Sequence, residues 1–286
     1  MPVLQTNRLL GYPDDARLLI INADDFGMSH AINEATFVAL KNGIVTSTTL
    51  MTPCPWAPQA MRFLKEHPEI DFGVHLTLVD DYDGYRWGSV ASKGDVPSLI
   101  DESGYFYGNK TSSKMLARAK LDEVELEFRA QIDCVLAADL KPSHLDWHCL
   151  ADGGKDDIFD LTLRLGREYG LALRIHDRAH ADRLRSERLP AGDHGVLDSY
   201  RYESATKSAE FTHLLRELPV GLSEWAVHPS LGDAEAQAMD PESWHVRRAD
   251  FDFVVSPEAR SIVEEQGIVL LNFRPLQALW ARKAID

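Results

Sequence analysis

The chain has 286 residues, of which 44% are hydrophobic and 26% charged, and its formal net charge is −15. This length and hydrophobic content are enough for a sizeable core, in one large α/β domain or two small ones. An acidic surface repels phosphate backbones and anionic lipids, so we expect no nucleic-acid and no membrane partner, and a neutral or cationic substrate is favoured.

The first residues and the cysteines bear on location. Residues 1–17 lack the charged start and apolar core of a signal peptide. The three cysteines Cys54, Cys134 and Cys149 are too few and too irregularly spaced for a disulfide framework. No apolar run reaches the roughly 18 residues that a membrane-spanning helix needs. We therefore expect a soluble cytoplasmic protein.

The chain is organised around the apolar run that ends in Asp24, Asp25, Phe26 and Gly27. A short apolar run bounded by turn residues is typical of a strand buried on both faces. Acids at the carboxyl end of such a strand lie where α/β folds place their chemistry. The alternative is an ordinary turn with two solvated aspartates.

Strands and helices alternate along the rest of the chain, after residues 1–16, which are predicted to form a loose arm. Further strands are predicted at 44–51, 72–79, 143–148, 171–175, 221–228 and 268–273. Helices are predicted at 30–42, 57–66, 113–137, 157–169, 209–217 and 257–266. The alternation predicts right-handed βαβ units in one domain spanning 1–286: an α/β fold, specifically a single-domain (β/α) barrel, irregular, with about seven parallel strands.

Three segments interrupt this alternation. Residues 80–112 and 177–205 are predicted to be excursions from the barrel, and residues 230–250 a loop-rich segment. The first excursion is rich in aromatic residues, which either stack on a sugar or pack against the body of the protein.

Alternation within the strands predicts which side chains point inward. The inward polar set is His75, His144, Asp146, His148, Arg174, Glu224 and His228. Cys149 falls on the opposite face by the same rule, so we expect it to be a small buried residue. Each unpaired buried polar group costs about 1–3 kcal/mol, so the inward set needs either a mutual hydrogen-bond network or a metal in a wet active site. Convergence at strand ends favours the active site.

Several short motifs resemble those of one known family. They are Asn22-Ala23-Asp24-Asp25-Phe26-Gly27, the run from Asn42 to Thr49, Gly73-Val74-His75-Leu76, the run from Lys141 to His148, and His228-Pro229. Together, and in this order, they closely resemble the YdjC/ChbG-like carbohydrate deacetylases, from about Arg17 to Phe273.

The resemblance implies a (β/α) barrel that removes N-acetyl groups from amino sugars, with a divalent metal at the strand ends. By that resemblance Asp25, His75 and His148 are metal ligands. Asp24 is the general base that activates water, and His228 is the general acid for the leaving amine. A small carbohydrate is the implied substrate, and a homodimer is implied because family members often form dimers.

The roles of two supporting residues, Asp146 and Arg174, and the identity of the metal remain open. Asp146 orients an imidazole or is a buried aspartate satisfied by backbone amides. Arg174 holds Asp24, touches substrate, or forms a structural ion pair. One carboxylate and two imidazoles suit Zn²⁺, whereas the family is usually described with Mg²⁺. We expect His144 and Glu224 to donate or accept supporting hydrogen bonds. The remaining histidines without a convergent context are expected at the surface or in packing: His30, His176, His213 and His245.

The sequence departs from the family pattern at one place, and two other functions are possible alternatives. Family members commonly carry a histidine-rich run after His148, where this chain has Cys149, Leu150, Ala151 and Asp152. Substrate fit near that strand end, and metal preference, are therefore not predicted. The alternatives are a glycoside hydrolase that uses Asp24 and Glu224 as its acid pair, and a non-catalytic sugar-binding protein.

Overall fold

The first long strand, β1, organises the computed structural model, which describes residues 6–283. The strands are β1 Arg17–Phe26, β2 Ser47–Leu50, β3 Phe72–Leu76, β4 Val79–Asp80, β5 Tyr107–Gly108, β6 His144–Trp147, β7 Ala172–Leu173, β8 Leu197–Asp198, β9 Gly221–Val227 and β10 Val269–Leu271. The helices are α1 Thr6–Leu10, α2 His30–Asn42, α3 Ala57–Glu66, α4 Ser112–Arg118, α5 Leu121–Ala137, α6 Asp156–Tyr169, α7 Arg178–Ser186, α8 Lys207–Arg216, α9 Ala234–Met239, α10 Trp244–Val254, α11 Pro257–Glu265 and α12 Arg274–Lys283.

Parallel strands form one curled sheet in the order β7-β6-β3-β2-β1-β9-β8. On one side β1 pairs with β9 along most of its length. On its other side the first part of β1 pairs with β10 and the later part with β2. No backbone pairing joins β7 to β8 in the part of the chain that the structure describes, so the barrel is open there. The predicted irregular parallel α/β barrel is thus confirmed, with β10 as an eighth strand beside the curled path.

Helices cover the outside of the sheet. The larger hydrophobic cluster includes Phe128 of α5 and Trp280 of α12, and the smaller one includes Phe211 of α8 and Trp225 of β9. Local signals in the sequence set several helix ends. The Ser29 hydroxyl accepts a hydrogen bond from the backbone N–H of Ile32 at the start of α2.

The predicted long helix at 113–137 is two helices. Backbone torsions of −58° and 128° at Ala119 end α4 before α5 begins. The predicted apolar stripe lies on α5, where Val124, Phe128 and Ile132 are fully buried. Leu121, at the start of the stripe, is 41% exposed. The break therefore leaves the first residue of the stripe outside the core.

The start of the chain is not a loose arm over the residues that the structure describes; residues 1–5 lie outside that range. Helix α1 buries Thr6 and Asn7 completely. The Asn7 side-chain amide donates to the carbonyls of Pro13 and Ala16 at 3.0 and 2.9 Å. These bonds hold the segment against the bottom of the barrel, because the backbone N–H of Gly221, at the start of β9, donates to the same Ala16 carbonyl.

The irregular segments contain more structure than their composition indicates. Residues 80–112 leave the sheet and return through the small β4–β5 pair. Residues 177–205 contain α7 and also β8, which pairs with β9 in the main sheet. The loop-rich expectation for 230–250 was wrong, because α9 and most of α10 lie there. Across residues 6–283, no helix combines the length and hydropathy needed to cross a bilayer.

Candidate active site

Two buried carboxylates mark the carboxyl end of β1. Asp24 is 5% and Asp25 2% exposed. Asp25 has a φ of 67°, a left-handed conformation that aspartate tolerates better than most residues. Gly27 follows with a φ of 97°, and a Cβ there would lie 3.1 Å from the Ala57 backbone. The chain therefore turns sharply at this point, and both carboxylates point into the same cavity.

Asp25 lies close to two imidazoles, His75 on β3 and His148 directly after β6, and these two strands are adjacent in the sheet. Its Oδ1 lies 3.4 Å from His75 Nε2 and 3.2 Å from His148 Nδ1. One ligand atom from each of the three buried side chains lies within 4.8 Å of the others, a grouping able to hold a metal ion. The structure thus brings the three predicted metal ligands together.

Each of these imidazoles has a carboxylate on its other nitrogen. His75 Nδ1 lies 2.6 Å from Asp146 Oδ1, and His148 Nε2 lies 3.1 Å from Asp81 Oδ2. Burial alone would lower the pKa of His75, but Asp146, together with Asp25 and Asp24, raises that pKa to about 9. Asp146 therefore bonds to the His75 imidazole. This agrees with the first of the two interpretations from the sequence, that Asp146 orients an imidazole. Asp81 was not predicted; its position directly after Asp80 at the end of β4 is the only local signal for it.

Arg174 lines the cavity and joins three acids at its base. Its guanidinium donates to both oxygens of Asp24, at 2.7 and 2.9 Å. It also lies 2.8 Å from Asp146 Oδ2 and pairs with Glu224. Burial alone would raise the pKa of Asp24, but Arg174 and the nearby histidines hold it well below its usual range. Burial raises the pKa of Glu224 above its usual value even though Arg174 opposes the shift.

His228 follows the end of β9 and lies beside Asp24. Its Nε2 is 3.9 Å from Asp24 Oδ2, and its Nδ1 is 2.8 Å from the Ser199 hydroxyl oxygen. The Tyr200 ring packs edge-on against the imidazole, with centroids 4.7 Å apart. The ring is thus held with one nitrogen towards the protein and the other towards the cavity.

Arg247 of α10 is a further site residue that the sequence did not indicate. Its Nη2 lies 2.7 Å from Asp25 Oδ2, on the side of the carboxylate away from the imidazoles. The side chain is 4% exposed, and its Nε and Nη1 have no hydrogen-bond partner among the described residues. Burial alone would raise the pKa of Asp25, but Arg247 and the two imidazoles hold it well below its usual value.

The positions of Cys149, His176 and His144 can be compared with what the sequence predicts. Cys149 was expected to be buried against the helices, which was wrong: it is exposed, and its sulfur lies 3.4 Å from Asp81 Oδ1. Strand alternation ends at Trp147, and a φ of 58° at Cys149 turns the side chain towards the cavity. His176, which was expected at the surface or in packing, lines the cavity as well. His144 lies deeper in the barrel, stacked on Phe273 with centroids 3.6 Å apart.

The cavity above these side chains has a volume of about 440 Å³. Its lining includes Asp24, Asp25, His75, His148, His228 and Arg247. Aromatic side chains of Tyr82, Trp147 and Tyr200 contribute to the walls. Fold and site together define an open α/β barrel with a buried carboxylate–imidazole cluster, suited to a divalent cation, at the carboxyl end of its parallel sheet.

The chain belongs to the YdjC-like protein family, whose model matches residues 18–265. A protein of Enterococcus faecalis named carbohydrate deacetylase is 30% identical over 270 residues, covering 90% of this chain and 97% of that protein. A carbohydrate deacetylase of Geobacillus stearothermophilus is 30% identical, covering 92% of this chain and 99% of its own length.

One solved structure is similar over almost the same span. It is a crystal structure from Enterococcus faecalis described as a cellobiose-phosphate cleavage protein. It is 30% identical to this chain, with a TM-score of 0.79, and covers 91% of this chain and 99% of that one. The family resemblance predicted from the motifs is thereby confirmed.

Proposed function

We propose that this chain is a carbohydrate deacetylase, a hydrolase that removes the acetyl group from N-acetylated amino sugars or chito-oligosaccharides. The observation that carries the proposal is the meeting of Asp24, Asp25, His75, His148 and His228 in one cavity. Curated relatives that span the whole domain have the same activity in their names.

The residues present fit a divalent cation. Asp25, His75 and His148 are the proposed ligands, and they offer one carboxylate oxygen and two imidazole nitrogens. Asp146 and Asp81 accept from the opposite ring nitrogens, which directs the remaining nitrogen of each ring towards Asp25. This donor set suits Zn²⁺, and Mg²⁺ stays the alternative.

Asp24 is the proposed general base. Arg174 holds both of its oxygens and keeps its pKa low, so the carboxylate stays ionised but is a weak base. A bound divalent cation would supply acidity to the attacking water and polarise the acetyl carbonyl. Asp24 then accepts the proton that this water loses as its oxygen bonds to the acetyl carbon.

His228 is the proposed general acid. Its Nε2 faces the cavity on the same side as Asp24 Oδ2. An amine is a poor leaving group unless nitrogen gains a proton as the carbon–nitrogen bond breaks. His228 gives that proton, and acetate and the free amino sugar are the products.

The two other functions are less well supported. A glycoside hydrolase needs two carboxyl groups that flank the scissile bond. Here Arg174 lies between Asp24 and Glu224 and bonds to both. Glu224 is therefore held in an ion pair and is not among the residues that line the cavity. A sugar-binding protein without activity would not need the base, the acid and the ligand set together. The cytoplasmic location and the homodimer remain predictions.

Acetate release from N-acetylated chito-oligosaccharides, with and without chelator, tests the proposal. We expect chelator-sensitive release, and Asp24→Asn should lower kcat by about 10²–10⁴-fold while metal content is unchanged. Asp15→Asn, an exposed aspartate near the start of β1, is the matched control and should keep full activity.

Two results would contradict the proposal. Chelator-insensitive release of reducing sugar instead of acetate would indicate a glycoside hydrolase. Sugar binding without turnover, unaffected by Asp24→Asn, would indicate a binding protein.

A further inference from the structure

A buried polar chain leads from His228 away from the cavity. The Ser199 hydroxyl lies 2.8 Å from His228 Nδ1 and donates to Asp250 Oδ2. Asp250 Oδ1 lies 2.6 Å from Lys207 Nζ. Ser199, Lys207 and Asp250 are all fully buried, so water does not compete for these bonds.

Four separate elements meet to build this chain. Ser199 follows β8, and β8 pairs with β9 so that Asp198 lies opposite Ala226, two residues before His228. Asp250 is on α10, and Lys207 is the first residue of α8. The same Asp250 oxygen that accepts from Ser199 also accepts from the His228 backbone N–H at 2.8 Å. Asp250 therefore fixes both the backbone and the side-chain partner of His228.

The direction of each hydrogen bond follows from the charges. Lys207 is the cation beside Asp250, so this carboxylate is ionised and accepts only. The Ser199 hydroxyl must then donate its single proton to Asp250, which leaves its oxygen to accept from His228. His228 Nδ1 consequently carries a proton, and Nε2 faces Asp24 and the cavity.

An ion pair this deeply buried contributes little net stability compared with apolar side chains of the same size. Such a pair does fix the positions of the groups bonded to it. Here the imposed geometry ends on the imidazole that the proposed reaction uses.

We propose that Ser199, held by Asp250 and Lys207, is a positioning residue that keeps a proton on Nδ1 of His228, so that Nε2 alone exchanges a proton with the substrate. The inference rests on the proposed deacetylation for its catalytic meaning. When the carbon–nitrogen bond breaks, the amine nitrogen takes the Nε2 proton, and the Nδ1 proton stays between His228 and Ser199. A neutral imidazole with its proton on Nδ1 remains.

The state of His228 is measurable without turnover. Heteronuclear NMR of isotope-labelled histidine rings reports which nitrogen is protonated, and His228→Gln assigns the signals. In the wild type at a pH where the ring is neutral, we expect the proton on Nδ1. Ser199→Ala should redistribute the proton towards Nε2, and Ser199→Thr, which keeps the hydroxyl, should restore it.

Kinetics give the second readout. Ser199→Ala should lower kcat by about 10–100-fold, part of what a general acid contributes, with KM changed less than about threefold. Ser199→Thr should recover most of the loss. Ser223→Ala is the matched control: Ser223 is a buried serine on β9 whose hydroxyl has no partner among the described residues. Thermal unfolding of each variant shows whether it is folded.

A neutral wild-type His228 with its proton on Nε2 would overturn the inference. So would a folded Ser199→Ala variant whose ring protonation and kcat match those of Ser223→Ala. If the wild type releases no acetate at all, the deacetylase proposal fails, and the NMR measurement still decides the role of Ser199.

Discussion

At the scale of single residues, the two imidazoles of the cluster are supported in the same way from opposite sides. Asp146 binds Nδ1 of His75, and Asp81 binds Nε2 of His148. A carboxylate on the far nitrogen fixes the tautomer of a metal-binding histidine and increases its basicity. Losing such a partner typically weakens metal binding about 10–100-fold.

We therefore predict that Asp81→Asn lowers the affinity for Zn²⁺ by about 10–100-fold, measured by calorimetric titration of metal-free protein. The amide still accepts a hydrogen bond from His148 but carries no charge. Asp83→Asn changes an exposed aspartate of the same segment and should bind as the wild type does. Equal affinities for the two variants would show that Asp81 does not support His148.

Residues of the site differ in how visible they are in the sequence. Asp24 was located by its position at the carboxyl end of a buried strand, and His75 and His228 by the alternation rule, which correctly places their side chains inward. Asp81 and Arg247 come from segments outside the strands, so no periodicity indicates where their side chains point. Cys149 shows the limit of the rule, because alternation stops where the backbone adopts a positive φ.

At the scale of elements, the aromatic segment 80–112 is held to the barrel by α5. Glu127 accepts from the backbone N–H groups of Val90 and Ala91 at 3.0 and 2.9 Å. The same segment supplies Asp81 and Tyr82 to the cavity wall. The anchor of the segment therefore lies on a helix, away from the cavity that the segment encloses.

Removing that anchor should loosen the segment without disturbing the reacting groups. Each unpaired N–H costs about 1–3 kcal/mol, so Glu127→Ala should speed amide exchange at Val90 and Ala91 on the order of 10–100-fold. We also expect a higher KM with little change in kcat.

Hydrogen exchange and steady-state kinetics measure both effects. Glu125→Ala is the control, because Glu125 lies on the same helix but pairs with Arg129 and Arg164 at the surface. Unchanged exchange in Glu127→Ala would mean that the segment is held by other contacts.

Two elements that the sequence missed, α10 and β8, lack a readable hydrophobic pattern for different reasons. The buried residues of α10 include Arg247 and Asp250 beside Phe253 and Val254, so its inward face does not read as an apolar stripe. β8 has only two residues, too few for any alternation to show. Both elements carry side chains of the site, and hydrophobic patterning detects neither a polar inward face nor so short a strand.

At the scale of the whole molecule, the sheet gathers opposed charges into a buried centre. Asp24, Asp25 and Asp146 lie within the barrel beside Arg174 and Arg247, all almost fully buried. The proposed cation would bind this folded arrangement and not the unfolded chain, where the three ligands are far apart in sequence. Binding to the folded state alone must raise the stability of the entire domain.

We therefore predict that divalent cation raises the melting temperature of chelator-treated protein. Saturation at about 100 times Kd stabilises by about 2.7 kcal/mol. A large domain gains about 2–4 °C for each kcal/mol, so the shift should be on the order of 5–10 °C. Because the donors are two imidazoles and one carboxylate, Zn²⁺ should produce the shift at lower concentration than Mg²⁺. His75→Gln removes one ligand and should abolish the shift, and a shift that persists in that variant would place the cation elsewhere.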